Sequence, residues 1–440
     1  MKKLVLIFLF SIPAFMLTNA QVATLWTNAK DLRIEGMGWS EGIRDYTRLP
    51  ERFSSNVISS VWDLSALSSG IVVRFNVKNT TFISAKWTLR IGRTNRSMVN
   101  MSDAGISGVD LYVKKDGKWT WMGVGLPKGT GVSQEEKIVT GLKTSEDYEL
   151  MLCLPLYNGV SELHIGTNTA ATISAATVYS KKPLVFYGTS ILQGACSSRP
   201  GMLFSSMLGR HFDAPVINLG FSGEGKMEEV FGSIMGEIDA SAYFLDCLQN
   251  MSALGEEEVR KRTLALVRKL KSLKAGTPIV LVENAPKWTH YYYSNDVNTS
   301  YYLRRGLKNA YNELIQEFGD IHYVEADNMF PNSEFTVDNT HPNDLGMYFY
   351  FEGLKNVIEQ FSLVNSQQAI QHDEQNIIVQ DRSKLKILMP GVVEIFNLQG
   401  VCISYQKDKT NIDLSKHKGS VFVVQLTAQD GKQTVKKILL

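Results

Sequence analysis

The sequence predicts an α/β fold: a parallel, doubly wound sheet, preceded by an all-β sandwich and followed by a small all-β domain. Three observations carry this. Apolar runs between residues 184 and 324 alternate with glycine turns and helical patterns. Residues 21–180 hold short alternating strands with turn residues between them. After Ser362 the chain turns polar, and alternation returns from residue 376.

The elements follow in chain order. Lys2-Lys3, the apolar run Leu4–Leu17 and Thr18-Asn19-Ala20 read as a signal peptide over residues 1–20. The run is too short to span a bilayer comfortably, and no other stretch approaches a transmembrane helix. The mature chain is expected to begin near Gln21 and to be exported, whether periplasmic, cell-surface or secreted. Residues 21–180 form the sandwich domain: Val73, Phe75 and Val77 alternate with polar neighbours, as do Trp87, Leu89 and Ile91, and Val109, Leu111 and Val113. Asp116-Gly117 turns the chain into Lys118-Trp119-Thr120-Trp121, and Asn158-Gly159 is a hairpin signal after Leu150, Leu152 and Leu154. The tryptophans serve either as sugar platforms or as core filler.

Residues 181–365 carry the parallel-sheet pattern. Its strands are expected at Leu184–Tyr187, Pro215–Gly220, Ala242–Asp246, Thr277–Val282 and Ile321–Val324. A helix is expected over Glu256–Lys274, stopped by Gly276. Residues 366–375 read as a Gln-rich linker, and 376–440 as the C-terminal β-domain, with a hairpin at Asp430-Gly431.

The chemistry sits in four segments: YGTSILQG at 187–194, NLGFSGEG at 218–225, DCLQNM at 246–251 and DNTHP at 338–342. A serine is a poor nucleophile until a histidine within reach takes its proton. His341 is the candidate base for Ser190, and Asp338, three residues earlier, can reach back to the other ring nitrogen. Candidate donors for an oxyanion are the Ser190 N–H, the Gly223 N–H and the Asn250 amide. In isolation Gly223 is equally a turn glycine, and Asn250 a cap. Leu192 stands where an α/β-hydrolase elbow needs its second glycine. The seven histidines are scattered and no zinc motif appears, so neither a metal nor another cofactor is expected. The 46 basic and 44 acidic residues nearly cancel, and no basic–aromatic stripe points to nucleic acid.

These four segments resemble the SGNH, or GDSL, hydrolase superfamily, whose blocks supply Ser, Gly, Asn and His in this order. The resemblance covers roughly residues 181–365 and implies a serine ester hydrolase with Ser190, Gly223, Asn250, Asp338 and His341 in its site. Block one reads Gly-Thr-Ser, so Thr189 stands where the family's Asp braces neighbouring loops. Block three lacks the usual glycine-rich lead-in. Gly108-Val109-Asp110-Leu111-Tyr112 and the run Gly194–Met202 resemble a bacterial subgroup with an N-terminal GxDLY-type sandwich. That implies an exported esterase acting on an acylated small molecule or oligosaccharide, with acetyl the expected group. A lysophospholipase-type lipid acylhydrolase and a non-catalytic glycan-binding protein with a vestigial site stay as alternatives. VEIFNLQG with the following strands resembles a Bacteroidetes sorting domain.

Further candidates remain open. Arg199 either binds a substrate oxygen or makes an ion pair. Trp288, with Tyr291–Tyr293, either shapes the cleft or packs a helix. Cys196 and Cys247 are either bridged or buried thiols. The short junction Tyr179–Pro183 predicts that the sandwich packs directly on the hydrolase domain and shares its cleft.

Overall fold

The structure, a computed structural model, describes residues 24–92, 98–287, 296–373, 378–381, 384–387, 391–397, 402–409, 411–414, 421–428 and 433–439. The chain divides into two units, Met1–Phe351 and Glu352–Leu440. The signal-peptide segment, Trp288 and Tyr291–Tyr293, and Asp430-Gly431 lie outside the described residues.

The first unit opens with antiparallel strands: β1 (Thr24–Asn28), β2 (Arg33–Glu35), β3 (Val72–Lys78), β4 (Phe82–Leu89), β5 (Val109–Lys115), β6 (Lys118–Gly125), β7 (Ser133–Thr140), β8 (Tyr148–Cys153), β9 (Val160–Asn168) and β10 (Thr172–Ala175). Two short helices interrupt them, α1 (Ser59–Ser65) and α2 (Asp103–Ser107). One sheet runs β1-β9-β4-β7; the other runs β10-β3-β8-β5-β6, with β2 on β3. Val73, Phe75 and Val77 of the second sheet share a core with Ile83, Ala85, Trp87 and Leu89 of the first. Alternation therefore reports the buried face, as a period of two requires. Trp87 is core filler, its indole N–H donating to Ser107 O at 2.9 Å.

The two hairpin signals part company here. Asp116 and Gly117, both at positive φ (51° and 76°), make the tight turn between β5 and β6. Asn158-Gly159 makes no hairpin: β8 pairs with β3 and β5, and β9 with β1 and β4. The pair carries the chain from one sheet to the other. Asn158 is buried and ties itself to Ile91 through both amide atoms, at 2.9 and 3.2 Å. A Cβ on Gly159 would stand 2.2 Å from Ala66 O, so the glycine serves a close crossing.

A parallel sheet follows: β11 (Leu184–Gly188), β12 (Val216–Gly220), β13 (Ala242–Asp246), β14 (Ile279–Val282) and β15 (Ile321–Val324). Its order is β12-β11-β13-β14-β15, and the expected strands are all present. The connecting helices are α3 (Ser190–Gln193), α4 (Phe204–Phe212), α5 (Val230–Gly236), α6 (Gly255–Leu273), α7 (Asp296–Phe318) and α8 (Asp344–Asp373). One face of the sheet packs Val185, Tyr187, Tyr243 and Leu245 against apolar residues of α5, α6 and α7. On the other, Phe186 stacks on Phe244 and meets Phe204, which stacks on Tyr350. The chain switches direction across the sheet between β11 and β13, where open α/β sheets place their ligands.

The second unit contains two sheets, one of β16 (Ile378–Asp381), β17 (Lys384–Ile387) and β20 (Asn411–Asp413). The other has the order β19 (Cys402–Lys407), β18 (Gly391–Phe396), β21 (Val421–Ala428), β22 (Gln433–Leu439). Leu385, Ile387, Val393, Ile395, Ile412, Phe422, Val424 and Leu426 form its core. The segment read as a linker at 366–375 is helical through Asp373. Its polar residues are mostly fair helix formers, and no Gly or Pro occurs between Gly353 and Pro390 to stop the helix. At α6 the stop falls at Leu273, ahead of Gly276.

Within the first unit the sandwich packs directly on the parallel-sheet layer. Asp110 is fully buried and accepts from Arg199 at 2.5 Å, Gly201 N at 2.9 Å and Trp121 Nε1 at 2.7 Å. Lys114 and Trp119 both reach Asp213, at 2.7 and 3.2 Å. Arg48, also buried, donates to Leu67 O, Leu64 O, Asn218 O and Gly220 O, which ties the N-terminal segment to the end of β12. The Asp110–Arg199 pair makes an asymmetric prediction, because a stranded Arg199 still reaches water (23% exposed) and a stranded Asp110 does not (0%). Arg199→Ala should cost about 3–5 kcal/mol, and Asp110→Ala less. Urea midpoints at unchanged slope measure both, and a larger loss for Asp110→Ala would reverse the argument.

Candidate active site

The site is assembled where β11, β12 and β13 end together. Gly188 pairs with Gly220 on one side and Asp246 on the other. Beyond Gly188 the chain turns at Thr189, whose hydroxyl caps the Ile191 N–H at 3.3 Å, and Ser190 opens α3. The first N–H groups of a helix have no partner within it, so the Ser190 N–H is left for a ligand. Two glycines allow block two to press against this turn. A Cβ on Gly220 would stand 2.4 Å from Gln193 N, and one on Gly225, at φ 75°, would stand 2.2 Å from Gly188 O.

Ser190, His341 and Asp338 come together as the spacing implies. Ser190 Oγ lies 2.9 Å from His341 Nε2, and His341 Nδ1 lies 2.8 Å from Asp338 Oδ2. The second carboxylate oxygen accepts from His341 N at 2.8 Å and Thr340 N at 3.1 Å. The loop folds back on itself, with Val337 N donating to His341 O at 2.9 Å and Thr336 bridging Pro342. Asn100, from the sandwich, adds a further donor to Asp338 Oδ2 at 2.8 Å. Partial burial pushes the Asp338 carboxyl up. The hydrogen bonds from the His341 ring, His341 N–H and Thr340 N–H outweigh it and hold the group below the usual carboxylate range. Asp338 therefore adds to stability above the unfolded carboxylate range, and that contribution fades as pH falls through its folded value.

Gly223 sits at φ 74° in a turn closed by Glu224 N donating to Phe221 O at 3.0 Å, and a Cβ there would meet nothing within 4 Å. The Asn250 amide donates to Glu224 O, so block three holds the block-two turn and keeps one amide hydrogen for other use. The brace missing at Thr189 is supplied elsewhere. Gln193, fully buried, accepts from Ser222 N at 2.9 Å, and the Tyr157 hydroxyl spans Ser190 O and Ser222 Oγ at 3.3 and 3.2 Å. Gln193 lay inside block one as a buried polar residue; Asn100 and Tyr157 gave no pattern in sequence.

Of the two readings left open for Arg199, the structure has the ion pair: its guanidinium meets Asp110, the Tyr112 hydroxyl at 2.6 Å and Met202 Sδ at 3.2 Å, so it is a seam residue. The Asp110 and Tyr112 side chains thus meet the neighbouring domain through Arg199. Cys196 and Cys247 are also settled: Cys153, Cys196, Cys247 and Cys402 are all free thiols. Among the described residues no cluster of His, Cys, Asp or Glu could hold a metal ion, and no helix is long and apolar enough to cross a membrane.

The N-terminal model of SGNH-hydrolase-type esterases, GxDLY, matches residues 24–173, and the GDSL-like Lipase/Acylhydrolase family matches 181–359. The chain is similar to a protein from Bacteroides ovatus ATCC 8483 assigned as a GDSL-like lipase. The two are 31% identical over 77% of this chain and 98% of that one, with a TM-score of 0.71. A salicylyl-acyltransferase from a tetracycline biosynthetic pathway shares the fold at 17% identity, over 77% of this chain and 98% of its own, with a TM-score of 0.62. No curated protein sequence matches the chain.

Asp246, at the end of β13, is 3% exposed and its Oδ2 has no hydrogen-bond partner. Burial pushes its carboxyl up to about 7. Between the unfolded carboxylate range and about pH 7 the folded state holds a proton that the unfolded state has lost, so stability falls as pH rises through that window. Asp246→Asn should remove this slope. Urea midpoints measured between pH 5 and 8 should converge toward acid and separate toward neutral, with the variant gaining; parallel curves would show that Asp246 does not titrate there.

Proposed function

Because the chain belongs to the GDSL-like lipase/acylhydrolase family and is an SGNH-type ester hydrolase, we propose that it is exported and removes a small acyl group, acetyl foremost, from a carbohydrate through an acyl-enzyme on Ser190. The observation that carries the reading is the unbroken chain from Ser190 Oγ through His341 to Asp338, at 2.9 and 2.8 Å. As Ser190 Oγ attacks the ester carbonyl, its proton passes to His341 Nε2. Asp338, hydrogen-bonded at Nδ1, stabilises the imidazolium. The carbonyl oxygen becomes an oxyanion facing the N–H groups of Ser190 and Gly223 and the spare Asn250 amide hydrogen. Collapse of the tetrahedral adduct breaks the bond to the alcohol, which leaves with the proton from His341. Water, deprotonated by the same ring, then releases the acid and restores Ser190.

The polar residues Asn100, Asp338 and Thr340 beside His341 support a hydroxyl-rich alcohol as the leaving group. The signal-peptide pattern and the sorting-domain resemblance of the second unit support export. A second reading, an acylhydrolase for longer lipid chains, draws on Val99 and Val337, which are 89% and 46% exposed beside Asn100 and Asp338. An assembled triad argues against a purely glycan-binding role.

Acetate release from a panel of acetylated oligosaccharides, with wild type and Ser190→Ala, tests the proposal. Wild type should release acetate, and Ser190→Ala should lose about a thousandfold or more in turnover while keeping its fold. Wild-type turnover in the variant would refute the nucleophile. A series of p-nitrophenyl esters separates the two readings: turnover should fall beyond short acyl chains, and a maximum at long chains would favour the lipid substrate.

A further inference from the structure

Asp338 belongs to the hydrolase domain, but one of its donors does not. Asn100 Nδ2 meets Asp338 Oδ2 at 2.8 Å, across 238 positions of sequence. This is the oxygen that also faces His341 Nδ1. The loop's own N–H groups, from Thr340 and His341, hold only the other oxygen. Rotation of a carboxylate about its last torsion is soft. With the Asp338 side chain 35% exposed, water competes for whatever the loop leaves free. A donor from outside the loop adds a second hold on the oxygen that faces the ring.

The placement of Asn100 is itself constrained. Two residues on, Ser102 caps α2 by accepting from Gly105 N at 3.1 Å, and its hydroxyl donates to Ser198 O at 2.5 Å. Gly105 lies so close to the loop after the nucleophile that a Cβ there would stand 2.3 Å from Ser197 O. Ser198 in turn donates through N–H and hydroxyl to Asp344, at 2.9 and 2.5 Å, just beyond the His341 loop. The sandwich thus grips the loops on both sides of the triad, and Asn100 is the point at which that grip reaches the acid.

We propose that Asn100 is a positioning residue: the N-terminal sandwich uses it to hold the Asp338 carboxylate in the plane that orients His341. This rests on Asp338 being the orienting acid. Among the described residues, the titratable groups facing Asp338 are His341 and Cys196. The Cys196 thiol is pushed up to about 12 by burial and by the Asp338 charge, so it stays neutral in the working range. The amide of Asn100 does not titrate, so it favours the carboxylate form at every pH.

The test is kinetics on p-nitrophenyl acetate across pH, using the full chain as wild type, Asn100→Ala, Asn100→Asp and Asp338→Asn. Asn100→Ala should lower kcat by about three- to tenfold with KM little changed, the effect of one exposed hydrogen bond to a charged group. Its acid limb should move to higher pH, because the carboxylate has lost a donor. Asn100→Asp should cost more than Asn100→Ala, with a deficit that grows as the two facing carboxylates ionise. A simple loss of folded protein would scale the profile without moving it, and that result would overturn the proposal. So would wild-type kcat and profile in both Asn100 variants while Asp338→Asn is crippled. Wild-type kcat in Asp338→Asn would instead refute the role of Asp338 itself.

Discussion

A buried carboxyl group either keeps its proton or is paired where it stands, and Asp110 is of the paired kind. Its partners are Arg199, the Gly201 N–H and the Trp121 indole. Two of the three lie on the segment that follows the nucleophile helix. Burial pushes the Asp110 carboxyl up against the pull of Arg199, so the group is tolerated only while all its donors are in place. Segment 194–201 is therefore held against the sandwich, and Ser190, four residues before Gly194, inherits that placement. The GxDLY strand is in this sense a structural part of the hydrolase site.

The same logic explains how the site manages without an aspartate at position 189. Bracing the block-two turn requires hydrogen-bonding groups near the nucleophile, and several arrangements of side chains can supply them. Here Gln193 accepts from Ser222 N, Tyr157 reaches both Ser190 O and Ser222 Oγ, and Asn250 donates to Glu224 O. Arg48 secures the strand end behind them through carbonyls alone. Tyr157 and Arg48 precede the hydrolase domain in sequence, so part of the bracing has moved from block one to another region of the chain. That leaves Thr189 free to act only as a helix cap.

Where sequence reading failed, the failures share a cause. Asn158-Gly159 has the composition of a tight turn, but its neighbours pair with strands far away in sequence, and the glycine answers a close approach by Ala66. Residues 366–373 are polar without being helix-breaking, so composition alone could not separate a linker from a helix. Arg199 stayed open between a substrate oxygen and an ion pair because the group that neutralises it, Asp110, lies 89 residues earlier. Each of these is a long-range relation that a local pattern does not record.

By itself the sequence determined the parallel sheet, the alternating faces of the sandwich and the order of Ser190, Gly223, Asn250 and His341, because periodicity and local turn chemistry are properties of neighbouring residues. It also placed Asp338, since a three-residue loop can carry a carboxylate back to its own histidine. Only the tertiary structure decided which sheet each strand joins, that the four cysteines remain thiols, and that Asn100 and Asp110 reach from the sandwich to the site. Those contacts arise between residues tens to hundreds of positions apart, and packing of the two layers alone brings them within hydrogen-bonding distance.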